Sequence, residues 1–392
     1  MSILSQLNSP AMYAICGGIV AFVALICIVF LIRAWRAGLA LGMDPVKLKR
    51  VVVSSATFSA LPSVGILLGV IALSGSLGTP WPWLRLSVIG ALHYETQVAQ
   101  AAAEHPTMVQ LGYLCAFLGF GVKAAVFPFH AWLPEASVAP TPVTALLHAV
   151  AVVKSGVFAI IRVTYFSFGA QVLRGTAAQS IALLLASVTI VYGSTMAVKE
   201  HHFKRRLAYS TVSNLSYIVL AASLMTQSGL TAALAHMLFH ALIKITLFFC
   251  AGAVMVKTGR TQIEDLRGLS RVMPFTCAVY TVGAISLMGT PLLPGFVSKW
   301  LIGSAAIETG TAMGMVGVAA LLISAVLTAI YLMGPAMSMY FRPLEGMEKV
   351  VSCDPGLRMK LPFAVLTAAI VLCGLFSDPI ITLLAKLSAG VM

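Results

Sequence analysis

Long runs of apolar residues recur along the whole chain. Each is about 20 residues long, enough for a helix to cross the roughly 30 Å hydrocarbon core of a bilayer. The clear runs cover residues 11–33, 51–77, 108–128, 143–168, 178–198, 209–226, 230–256, 273–290, 313–340 and 361–386, and 82–104 and 292–307 are less regular. Because a backbone in lipid must satisfy its own hydrogen bonds, the pattern predicts an all-α, polytopic transmembrane bundle of about ten to twelve helices.

Basic residues concentrate in the connections between the apolar runs, at 33–50, 199–206 and 257–271. Such an excess of Lys and Arg is typical of cytoplasmic loops, so we expect all three connections on the cytoplasmic side. The parity of crossings then requires that 82–104 does not cross the membrane fully. Its polar residues Arg85, His93 and Glu95 favour a re-entrant or surface helix.

Composition supports the same class. The 392 residues are 59% hydrophobic and 9% charged, which is far from a soluble domain. The net charge of +13 comes from the loops, so it indicates membrane topology and not nucleic-acid binding. Seven scattered cysteines without a CxxC pair support neither a disulfide framework nor a zinc or iron–sulfur site, and we expect no cofactor.

Three groups of ionisable residues interrupt the apolar runs. In the first, GFGVKAAVFPFHAWLPEA places Lys123 in mid-helix before breaks at Pro128 and Pro134, and the next run contains His148 and Lys154. A charge at bilayer depth costs about 2.5–3.5 kcal/mol on insertion scales, so it usually faces a partner or a hydrated cavity. A broken helix beside it is how many transporters build an ion site, whereas pairing with a carboxylate or snorkelling is the alternative for any single lysine.

The second group is HMLFHALIK, in which His236, His240 and Lys244 follow at intervals of four residues. This spacing places all three on one face of a helix. Two histidines that titrate near neutrality and a lysine in line predict a proton path. Two histidines four residues apart can also share a metal, but the segment offers no third ligand.

The third group is GTPLLPGFVSKW, where Pro291, Pro294 and Gly295 break a helix just before Lys299. The sequence therefore predicts two proline-broken helices, each beside a lysine, with the histidine face between them. A transport path explains this set better than chance placement of charges.

Several motifs, in this order, resemble one known family: KAAVFPFHAWLPEA, APTPVTALLHA, VVKSGVF, KRRLAYSTVSN, HMLFHALIKITLFFCAG and PLLPGFVSKW. From about residue 106 to 392 the chain resembles the antiporter-like proton-pumping subunits of respiratory complex I, membrane-bound hydrogenases and Mrp Na⁺/H⁺ antiporters. We read KRRLAYSTVSN most simply as a cytoplasmic loop that opens a helix.

The resemblance implies a role for each ionisable residue of the path. Lys123 matches the lysine of a glutamate–lysine pair, Lys154 the connecting lysine, Lys244 the central lysine and Lys299 the terminal one, with His148, His236 and His240 alongside. It also implies a multi-pass protein of the bacterial inner membrane that translocates protons, with Na⁺/H⁺ exchange as the alternative. Its partners would be other membrane subunits of a complex I-like NADH:quinone oxidoreductase, a hydrogenase-like or an Mrp-type assembly, which supply the redox energy or the opposing gradient.

Residues 1–105 resemble the start of a different, uncharacterised bacterial multi-pass family, so we expect two regions, 1–105 and 106–392. The first lacks an evident glutamate partner for Lys123 within an apolar run, although Glu95 or Glu104 could take that place. Two alternatives stay open at this point: a small-solute permease whose function is set by the N-terminal region, and a structural membrane subunit whose lysines are locked in pairs.

Overall fold

The computed structural model describes residues 98–100, 102–138, 141–343 and 353–391. Ten helices account for most of this part of the chain. They are α1 (Pro106–Lys123), α2 (Thr141–Ser167, with two π-helical turns), α3 (Ala177–Lys199), α4 (Phe203–Ser223), α5 (Gln227–Thr258), α6 (Pro274–Met288), α7 (Pro294–Glu308), α8 (Ala312–Phe341), α9 (Leu357–Leu375) and α10 (Asp378–Ala389).

The all-α fold is confirmed, and the chain is a multi-pass membrane protein as predicted. Five of the described helices, α2, α3, α5, α8 and α9, are long and apolar enough to cross a bilayer, and α6 is a shorter apolar helix. The predicted runs at 11–33 and 51–77 lie outside the described residues, as does most of 82–104, so the total of ten to twelve helices stays a prediction. The run at 361–386 divides into α9 and α10.

Helix α4 lies at the centre of the described bundle. It packs between α3 and α5 and is buried along almost its whole length. The sequence of α4 suits this burial, because the small hydroxyl residues Ser210, Thr211 and Ser213 are interspersed with apolar ones. Thr211 donates to the carbonyl of Leu207 one turn earlier, which satisfies the hydroxyl inside the helix.

Both proline-rich breaks are present. Helix α1 ends at Lys123, and its free carbonyls are partly satisfied because the Trp132 indole N–H donates to the carbonyl of Val122 at 2.8 Å. Lys123 is thus the last residue of a helix and not a mid-helix residue, which corrects our expectation. The second break separates α6 from α7, and it is formed by Gly289, with a φ of 100°, and by Pro294 at the first turn of α7.

The two basic connections within the described residues meet at one end of the bundle. The Phe203 amide donates to the carbonyl of Thr261, and the Ile263 amide donates to the carbonyl of His201, both at 2.9 Å. These contacts place both connections at the same end of the bundle, which agrees with the prediction that they share one side of the membrane. We refer to this end of the bundle as the basic end.

Candidate functional site: a buried lysine and histidine axis

Helix α5 carries the centre of the site. His236, His240 and Lys244 are each at most 1% exposed, and they span about 12 Å of the helix axis at 1.5 Å per residue. The two imidazole rings stack with their centroids 5.8 Å apart. The predicted shared face is therefore present, and Lys244 lies about 21 Å from the C-terminal end of the helix, near the middle of its length.

Lys154 of α2 joins this face from the side. Its amine donates to the carbonyl of Met237 at 2.7 Å and lies 3.0 Å from Nδ1 of His240. Lys154 is only 6% exposed, so both contacts are shielded from solvent. The lysine and the histidine share one hydrogen bond, and only one of them can supply its proton at a time.

Helix α7 closes the other end of the axis. Nδ1 of His236 is 2.9 Å from the Ser298 hydroxyl, and the neighbouring Lys299 donates to the carbonyls of Leu287 and Met288 at 2.8 and 3.0 Å. These carbonyls end α6, where no further helical turn follows to use them. The helix break thus provides the acceptors that hold Lys299 in the interior.

Lys244 is held by the central helix α4. Its amine donates to the carbonyl of Leu207 at 2.8 Å and to the Ser210 hydroxyl at 2.9 Å. The Tyr331 hydroxyl of α8 donates to the same Ser210 oxygen at 2.9 Å. A polar contact therefore runs from α5 through α4 to α8 in the middle of the bundle.

His148 occupies a π-helical turn of α2, at Leu146–Val150, and is fully buried. The His148 ring stacks on the Phe248 ring with centroids 5.0 Å apart. The Lys244 amine lies 5.7 Å from the centre of the Phe248 ring. Neither ring nitrogen of His148 has a hydrogen-bond partner in the part of the chain that is described. His148 is thus near the axis without a direct polar contact to it.

Lys123 stands apart from the other six residues. It is half-buried, and its backbone packs against Gly156 of α2, where a Cβ would lie only 2.8 Å from the Lys123 carbonyl carbon. Glu104 precedes the first turn of α1 and accepts a hydrogen bond from Gln100 at 3.2 Å, about 25 Å along the helix axis from Lys123. Glu104 is therefore not its partner, and Glu95 lies outside the described residues.

Sequence reasoning missed the hydroxyl residues that hold the axis. Ser210 lies in KRRLAYSTVSN, which is helical throughout and not a loop, so that expectation was wrong. Ser298 precedes Lys299 in the third motif, and Tyr217 of α4 contacts both His236 and Lys299 through its ring. Hydroxyl residues inside apolar runs were the available signal, but most such residues bond only within their own helix.

Carboxylates are absent from the axis within the described residues. Two ion pairs between described residues, His201 with Glu264 and Arg205 with Glu200, lie away from the axis at the basic end. No cluster of three His, Cys, Asp or Glu side chains suited to a metal occurs among the described residues either. The axis lysines therefore meet carbonyl, hydroxyl and imidazole acceptors.

Residues 23–328 match the family model described as "NADH:quinone oxidoreductase/Mrp antiporter, TM". The chain belongs to this family. The match begins inside the region 1–105, for which a separate origin is predicted, and the division at residue 105 stays a prediction.

Similar proteins come from different complexes. The chain is 36% identical over 278 residues to the NADH-quinone oxidoreductase subunit N of Desulforudis audaxviator, covering 67% of this chain and 54% of that protein. It is 37% identical over 225 residues to one component of a probable K⁺/H⁺ antiporter of Rhizobium meliloti, covering 57% of this chain and 22% of that protein. The chain thus spans about half the length of the first relative, and less of the second.

A solved structure shares the fold. A chain of the membrane-bound sulfane sulfur reductase, an archaeal respiratory membrane complex, matches with a TM-score of 0.75 and 29% identity. The match covers 88% of this chain and 66% of that one. The antiporter-like resemblance found from the sequence motifs is confirmed.

Proposed function

We propose that this chain moves protons across the bacterial inner membrane as one subunit, without a redox centre of its own, of a larger respiratory or antiporter-type complex. The path would run through Lys299, His236, His240, Lys154 and Lys244, with His148 beside its centre. Lys123 would mark its other end, where α1 packs against α2. Na⁺ is a candidate counter-ion.

The observation that carries this proposal is the set of acceptors around the three buried lysines. Each amine has two described acceptors between 2.7 and 3.0 Å. A neutral amine has two N–H groups and an ammonium has three, so each lysine can gain or lose a proton while keeping both contacts. A carboxylate would instead bind the ammonium form strongly and hold the proton in place.

The histidines supply the connection between lysines. In both His236 and His240, Nδ1 contacts a lysine or a serine, whereas the buried Nε2 has no partner in the described part of the chain. An unpaired buried nitrogen usually costs about 1–3 kcal/mol, so a stability role gives no reason to keep two of them. A role in passing protons does.

Proteoliposomes that contain the full chain and a pH-sensitive dye test the proposal. Under an imposed gradient, Lys244→Met should reduce proton flux to the protein-free background, and Lys244→Arg should not restore it because the guanidinium does not release its proton. Lys386→Met is the matched control, since this lysine is exposed on α10 and should be dispensable.

Ser210→Ala is a milder variant of the same site, because it removes one of the two Lys244 acceptors and should lower flux without abolishing folding. Comparing Na⁺ with choline in the external buffer identifies the counter-ion. Normal flux in the Lys244→Met variant would contradict the proposal, and solute uptake without proton flux would indicate a permease.

A further inference from the structure

A second polar site lies away from the axis, at the basic end of the bundle. Helices α5 and α9 pack against each other and, with the first residues of α2, border a groove of about 730 Å³. Three basic residues line it: Lys204 from α4, Lys257 from α5 and Arg358 from α9. The proposed proton path uses none of them.

The charged side chains among the described lining residues of the groove are all basic. None of its described lining residues is acidic, and no ion pair among the described residues involves Lys257 or Arg358. The adjacent acid, Asp354, is engaged elsewhere, because its carboxylate accepts from the Phe275 and Thr276 amides at 3.0 and 3.2 Å. Helices α2, α4 and α9 begin at the groove and contribute the partial positive charge of their N-termini, whereas α5 ends there with a partial negative charge.

Below the charges the wall becomes apolar. On α5, Phe249 lies eight residues before Lys257, and on α9, Phe363 lies five residues after Arg358. At 1.5 Å per helical residue, these apolar lining residues lie roughly 8–12 Å deeper in the bundle than the basic ones. The two helices run in opposite directions here, so both descend from the basic end toward the middle of the bundle. The apolar lining residue Val256 is 82% exposed beside the charges.

We propose that this groove binds an anionic phospholipid, with the phosphate held by Lys257 and Arg358 and an acyl chain lying between α5 and α9. Charge complementarity favours a phosphate, and basic pockets between membrane helices on the cytoplasmic side suit such head groups. The apolar wall below favours a lipid over free phosphate. The site is independent of the proposed proton path.

Binding to the purified full chain in detergent tests this. Phosphatidylglycerol should be retained in native mass spectrometry and should raise the unfolding temperature, whereas phosphatidylcholine with the same acyl chains and inorganic phosphate should do neither. Since each basic side chain near an anionic head group contributes about fivefold, Lys257→Gln with Arg358→Gln should weaken phosphatidylglycerol binding roughly 30-fold.

The matched control is Lys386→Gln with Arg342→Gln, which removes one lysine and one arginine that are exposed and do not line the groove. This variant should bind like the unaltered chain. Equal binding of both lipids, an equal effect of inorganic phosphate, or an equal loss in the control variant would each overturn the proposal. The lipid comparison on the unaltered chain decides the question even if the double variant does not fold.

Discussion

Gly295 offers a sharp test of how the second helix break holds Lys299. It lies in the first turn of α7 and packs directly on the carbonyl of Ser286 in the last turn of α6. A Cβ built at Gly295 would overlap this carbonyl oxygen and lie 2.8 Å from its carbon. Because both contacting atoms are backbone, no side chain can rotate away, and we predict that Gly295→Ala separates the two helices.

The size of the effect follows from the geometry. Restoring an ordinary contact with the Ser286 carbonyl oxygen requires a shift of about 1.5 Å between α6 and α7, and overpacking of this kind costs about 1–3 kcal/mol. The same shift stretches the hydrogen bonds from Lys299 to Leu287 and Met288, now 2.8 and 3.0 Å, beyond bonding range. Each such bond to a charged group contributes about 1.5–3 kcal/mol, so a total loss of about 3 kcal/mol or more is expected.

Thermal unfolding in detergent and proton flux in proteoliposomes measure the two consequences. The control is Gly303→Ala on the same helix, where a Cβ meets no atom within 4 Å. Alanine there should stabilise by up to about 1 kcal/mol, because glycine is the poorer helix former. The unfolding temperature should therefore fall in Gly295→Ala and rise in Gly303→Ala, although both substitutions lie in α7. Equal unfolding temperatures for the two variants would refute the reasoning.

Two further outcomes are expected at the basic end. Asp354→Ala should destabilise the chain by about 1–2 kcal/mol, because the carboxylate caps the N-terminus of α6 through Phe275 and Thr276. Asp354→Asn should retain part of this stabilisation, and equal losses in both variants would contradict the capping role. The hydrogen bond from His201 lowers the pKa of Glu264. The small contribution of this contact to folding stability should therefore be present above the pKa of Glu264 in the unfolded chain, and it should be lost as the pH falls through the pKa of Glu264 in the folded chain. Unfolding temperatures at about pH 3–6 should show less acid dependence in Glu264→Gln, and an unchanged profile would count against this contact.

Much of the axis could be predicted because membrane burial makes charges conspicuous. A lysine or histidine inside a 20-residue apolar run is rare and costly, so its position alone identifies His236, His240 and Lys244 as candidates. Helical periodicity then places them on one face, and the proline and glycine cluster before Lys299 indicates where α6 ends. The family followed from motifs in the same segments.

Other features could not be predicted, since they depend on which helices meet. Ser210 resembles any other hydroxyl residue of an apolar helix, and it becomes an acceptor for Lys244 only because α4 packs between α3 and α5. Ser298 likewise gains its role from facing His236 across α5 and α7. A hydroxyl group costs little to bury when it bonds to its own helix, so its sequence gives no warning of a partner elsewhere.

The sequence by itself determined the membrane class, the family and the row of lysines and histidines, because local hydropathy and helix periodicity are properties of consecutive residues. Only the tertiary structure decided what each amine contacts: Met237 and His240 for Lys154, and the broken end of α6 for Lys299. It also moved Lys123 from the middle of a helix to its end. Contacts of this kind join residues far apart in the chain, and their geometry follows from how the helices pack.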